Sequence, residues 1–136
     1  FVAFAGAGDV AQPQGAIARL CHFLRKDLVS RYTPKGADID SVFDVRAVFQ
    51  ASHRDMAVGD LPDLLRPRKG KFALIDYEKA FCPDLKNGPD IFDHRGIDRS
   101  MGALLIVRPD QFVAQILPLD AFSEIAAFFA GFMRAA

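Results

Sequence analysis

The 136-residue chain has no tryptophan and only two cysteines, Cys21 and Cys82, which form no C-x-x-C pair. That scarcity argues against a disulfide scaffold and against dithiol redox chemistry, and it fits a reducing, cytoplasmic setting. Net charge is also missing: 17 Lys and Arg balance 17 Asp and Glu, so no field draws the chain to nucleic acid or to an anionic membrane. No hydrophobic run is long enough to span a bilayer. The most apolar stretch, Ile125 to Met133, falls far short of the roughly 20 residues required, and no secretory signal is evident. The chain opens at Phe1, inside an apparent strand, and not at Met, so it reads as a fragment of a larger protein. What it does have is 51% hydrophobic residues, among them 13 Phe. That is enough for one domain burying roughly two thirds of its unfolded surface.

Hydrophobic periodicity lays out the elements. Phe1 to Ala5 predicts a buried strand, and Pro13 suits the first turn of a helix running to Leu28. Ile17, Leu20, Cys21, Leu24 and Leu28 form its apolar stripe. A loop over Arg31–Ser41 precedes a half-buried strand in Val42–Gln50, with Phe43, Val45, Ala47 and Phe49 facing inward. Pro62 opens a short helix and Pro67 closes it, followed by a strand in "KFALID". Tyr77 to Arg95 reads as irregular, with a short helix at Ile91–Arg95. Ala103–Val107 and Phe112–Leu117 predict a hairpin turning on Arg108-Pro109-Asp110-Gln111. Asp120 is expected to cap a last helix whose apolar face holds Phe122, Ile125, Ala126, Phe129, Phe132 and Met133. A βαβ unit followed by a ββα unit implies an α/β, thioredoxin-like fold: a central mixed sheet flanked by helices.

Each chemical candidate is weak. Gly6, Gly8 and Ala11 spell the G-x-G-x-x-G/A of a dinucleotide turn, but Pro13 would fall inside the helix that such a turn starts, and no acidic residue ends a second strand about 20 residues on. In a thioredoxin-like fold the redox cysteines occupy this same strand-to-helix turn, and here it carries none. The peroxiredoxin pattern P-x-x-x-T-x-x-C, laid on Pro13, finds Ile17 and Leu20 in place of Thr and Cys. Cys21 faces the core, and Cys82 reads as a bland exposed thiol. His22, His53 and His94 are too dispersed for a metal site, and Asp84, Asp90, Asp93 and Asp98 read as solvated turn residues. Phe128, off the main face of the last helix, is the best hint of a partner surface.

From Asp38 onward, "DIDSVFDVRAVF", "DLPDLLRP" and "GIDRSMGALLIVRPDQFVA" resemble the C-terminal domain of FAD-dependent aromatic hydroxylases of the phenol 2-monooxygenase and 3-hydroxybenzoate 4-monooxygenase type. "FVAFAGAGD" fits the first strand of that domain. The resemblance implies a thioredoxin-like fold without redox cysteines, a role in homodimerisation, and FAD and NAD(P)H used by preceding domains of the parent chain. Two positions depart from the expected patterns: Gln111 stands where the family commonly has Gly, and Met101 lies near thioredoxin's cis-proline position. The expectation is a non-catalytic accessory domain spanning 1–136 at the C-terminus of a flavoprotein, with no catalytic, cofactor-binding or metal-ligating residue of its own. The alternatives are a divergent peroxiredoxin-like thiol enzyme using Cys21 or Cys82, and a stand-alone protein-binding module.

Overall fold

A computed structural model describes residues 1–9, 12–84 and 86–136. Five strands form the central sheet: β1 (Val2–Phe4), β2 (Arg46–Val48), β5 (Ala80–Phe81), β6 (Ala103–Val107) and β7 (Val113–Leu117). Their order is β5-β2-β1-β6-β7. β1 runs parallel to β2, and β2 to β5, whereas β6 is antiparallel to both β1 and β7. The β2-β1-β6-β7 core is the thioredoxin-like arrangement, and β5 extends it by one strand.

The first helix begins later and ends later than its periodicity predicts. α1 spans Ala16–Phe23, a π-helical stretch follows over Leu24–Val29, and α2 (Ser30–Tyr32) completes it. Pro13 lies in the turn before the helix and not in its first turn. The wider π turn allows Leu28, Val29 and Tyr32 to be buried together.

Alternation sorts the sheet into two unequal faces. Ala3, Ala5, Ala47, Leu104 and Ile106 join Ile17, Leu20, Leu24, Ile125 and Phe129 in the main core. α1 and α4 (Phe122–Ala130) therefore cover one face, and Phe23 stacks on Phe122 with centroids 4.7 Å apart. The opposite face is covered at one end by α3 (Ile91–Arg95), whose Phe92 meets Phe4 edge-on at 5.4 Å. Beyond it runs a paired row, Arg46–Val2–Leu105–Ile116, in which Ile116 is 66% exposed.

"KFALID" does hold a strand, β4 (Leu74–Ile75), but it pairs with β3 (Arg68–Lys69) in a separate two-stranded hairpin, and the strand added to the central sheet is Ala80–Phe81, in the segment read as irregular. Two expectations fail. Asp120 does not cap α4. The N-cap is Ala121, with no side-chain cap, and Asp120 contributes only its carbonyl, which accepts from the Phe122 amide. Phe132 and Met133 lie beyond the last helical residue, and Phe132 is exposed.

Candidate functional site

The turn from β1 to α1 is where this fold keeps its chemistry, and here it is closed by the chain's own carboxylate. Oδ2 of Asp9 accepts a hydrogen bond of 2.9 Å from the Ile17 amide in the first turn of α1. It thus takes a position that would favour a thiolate or a phosphate. Gly15, the N-cap, permits this approach, since a Cβ there would sit 2.5 Å from Asp9 Oδ1. Gly6 serves packing, because its Cβ would meet the Ser100 carbonyl at 2.6 Å. Gly8 adopts a left-handed φ of 79° in open space. Ala11, the last member of the glycine motif, lies outside the described residues. With α1 starting at Ala16 and its amide engaged by Asp9, the turn does not fit the pyrophosphate of a flavin or nicotinamide.

The thiols are separated and subdued. Cys21 is buried on the helix stripe, as its position predicts, and burial, reinforced by the nearby Asp9 charge, pushes its thiol up to about 12. Cys82 is half-buried, more sheltered than expected, and burial raises its thiol as well. Its Sγ lies 3.6 Å from Met56 Sδ. Both shifts oppose formation of the nucleophilic thiolate. His22, His53 and His94 are exposed. Among the described residues, no group of three or more His, Cys, Asp or Glu could hold a metal ion.

Asp84, Asp93 and Asp98 are exposed, as expected of turn residues, whereas Asp90 is sheltered. Asp90 caps α3 reciprocally with Asp93 in a capping box, and its side chain is only 7% exposed. Arg99 bridges both carboxylates at 2.7 Å and lies over the Phe92 ring. Hydrogen bonds from Arg99 hold both carboxyls below the usual range. Asp98 accepts from the Ser100 and Met101 amides. Asp84 accepts from the Lys86 amide and the Asn87 side chain. Met101 is exposed, and no cis peptide bond occurs among the described residues.

Sequence reasoning missed a buried ion cluster. Lys79, just before β5, places Nζ 3.0 Å from Asp40, 2.6 Å from Asp44 and 3.5 Å from Asp76. The Asp40 and Lys79 side chains are 4% and 5% exposed, and Lys69 adds a second cation 3.1 Å from Asp40. Burial alone would raise the Asp40 carboxyl, but the two lysines outweigh it and hold the carboxyl low. The cluster ties the loop before β2 and the β3–β4 hairpin to β5, a structural role that no local pattern announces.

The described surface also carries apolar area. A groove of about 1030 Å³ runs past Phe1, Val2, Val107, Phe128, Phe132 and Met133. Phe128 is half-buried, its ring 5.1 Å from Phe129 and 5.3 Å from Phe132. At the sheet edge, Phe112, Val113 and Ile116 are 70%, 50% and 66% exposed.

Residues 1–136 match, over their whole length, the family described as phenol hydroxylase, C-terminal dimerisation domain. A 3-hydroxybenzoate 4-monooxygenase of Comamonas testosteroni is 55% identical over 98% of the chain, which covers 21% of that protein. The FAD-dependent monooxygenase terD of Aspergillus terreus (strain NIH 2624 / FGSC A1156) is 33% identical over 93% of the chain, which covers 22% of that protein. The chain thus spans about a fifth of the length of the relatives it matches. A thioredoxin-like sheet without redox cysteines and a match along every residue lead to one assignment: this chain belongs to the phenol hydroxylase C-terminal dimerisation domain family.

Proposed function

We propose that the chain is a non-catalytic assembly domain, a single unit at the C-terminus of a cytoplasmic FAD-dependent aromatic hydroxylase, and that it pairs two copies of that enzyme. In this reading, preceding domains bind FAD, NAD(P)H and a phenolic substrate, and their hydroxylation chemistry lies outside residues 1–136. The observation that carries the reading is the family match over the whole chain. The engaged helix terminus at Asp9 and the two raised thiols support a scaffold and weigh against a peroxiredoxin-like enzyme. No helix among the described residues is long and apolar enough to cross a membrane.

The test is sedimentation velocity over a wide concentration range. The expected species is a dimer of twice the 15.0 kDa chain mass. A strict monomer at every concentration overturns the assembly role.

A further inference from the structure

The two edges of the central sheet differ in a way that singles out one of them. At one edge, β5 is two residues long and preceded by Lys79 in the buried ion cluster. Short length is a device that keeps an edge from pairing. At the other edge, β7 is five residues long and uncharged; Pro118 follows it directly and its pairing with β6 shifts register between Ile106 and Val107, yet it is the longer of the two free edges. The whole run Gln111–Leu119 is uncharged. Its backbone groups that point away from β6 form a template for another strand. Its side chains Val113 and Ile116, with Phe112 beside them, are the exposed apolar residues of this edge.

We propose that β7 is the dimerisation element: two copies of the chain pair β7 against β7 antiparallel about a two-fold axis, joining their sheets. This rests on the reading of the chain as a self-association domain. A second copy is the fitting occupant on three grounds. The family is a dimerisation family. Antiparallel pairing of a strand with its own copy is isologous, so one surface serves both partners. An uncharged strand meets its copy without like-charge repulsion. Five paired residues alone fall short of the roughly 800 Å² per partner typical of stable interfaces. The open row Ile116–Leu105–Val2, continuous with the groove that Val2 also lines, supplies further apolar area beside the pairing strand.

The test compares the wild-type chain with Val113→Lys/Ile116→Lys and with Phe132→Lys in the groove, using sedimentation, thermal unfolding and amide hydrogen exchange. The wild type should be a dimer whose β7 amides slow their exchange as concentration rises. The double lysine variant should dissociate at least about 100-fold more readily, and Phe132→Lys should remain dimeric. Mixing the double lysine variant with Val113→Glu/Ile116→Glu should restore a dimer, which an unfolded variant would not do.

A wild-type monomer overturns the assembly reading itself, and this inference with it. A wild-type dimer that the double lysine variant leaves intact overturns the assignment to β7 alone. So does a dimer whose β7 amides gain no protection, or a failure of the lysine and glutamate variants to recombine.

Discussion

Replacing Asp9 by Ala removes the carboxylate from the start of α1. The lost interactions include a charge-assisted bond of 2.9 Å from the Ile17 amide. A missing cap costs about 0.5–2 kcal/mol, and loss of a negative charge at a helix N-terminus a further 0.3–1 kcal/mol or so. A net loss of about 1.5 kcal/mol follows, and at roughly 0.3 kcal/mol per degree for a domain of this size the melting temperature should fall by about 5 °C. Asp9→Asn keeps an acceptor and loses the charge, so it should cost about a third as much. Gly15→Ala supplies the sharper test, because its Cβ would lie 2.5 Å from Asp9 Oδ1 and 3.0 Å from the Gln12 carbonyl. In the parent that crowding should cost about 2 kcal/mol. In Asp9→Ala the nearer obstacle is gone, so the pair should show coupling of at least about 1 kcal/mol in a double-mutant cycle read by urea denaturation. Additivity within about 0.5 kcal/mol, or an Asp9→Ala variant as stable as the parent, would refute the reasoning.

Gln111 holds a φ of 70° in the β6–β7 turn, so Gln111→Gly should relieve left-handed strain and raise stability by about 0.5–1 kcal/mol in thermal unfolding. Lys79→Met leaves the buried Asp40 carboxylate with only the more exposed Lys69 and should cost about 3 kcal/mol in denaturant. The parent's pH dependence has a defined sign: Asp40, Asp44 and Asp76 are held low in the folded chain, so stability is full above the ordinary carboxylate value near pH 4 and is lost as pH falls through the depressed values. Lys79→Met should flatten that acid-side loss, as measured by unfolding across the pH range. With both thiols raised, a thiol reagent at neutral pH should leave native Cys21 unmodified and label Cys82 slowly, whereas both react at once in denaturant; rapid native labelling of Cys21 would contradict its placement.

Elements whose cause is local were legible in the sequence. The Ile17–Leu28 stripe, the inward alternation of Phe43, Val45, Ala47 and Phe49, and the hairpin over Ala103–Leu117 all follow from side-chain period, and the structure buries or pairs them accordingly. What escaped depends on partners distant in sequence. β5 is only two residues long and exists because the Ala47 and Phe49 amides donate to the Lys79 and Phe81 carbonyls. "KFALID" carries strand-forming residues, yet the reversal through Gly70 and Ala73, both at positive φ, turns it back on Arg68–Lys69. Asp9 was invisible as a cap because it precedes its amide by eight residues and does not sit at the N-cap. The empty redox turn could be read from the missing cysteines, but what fills it could not.

The shortness of β5 bears on stoichiometry. A sheet open along both sides can add copies without limit and grow into a fibre. In this domain, once two β7 strands have met, both outer margins of the joined sheet are β5, each two residues long with Pro83 close behind. An assembly joined through β7 would therefore close at two, and the strand that sequence pattern overlooked would be the one to stop polymerisation.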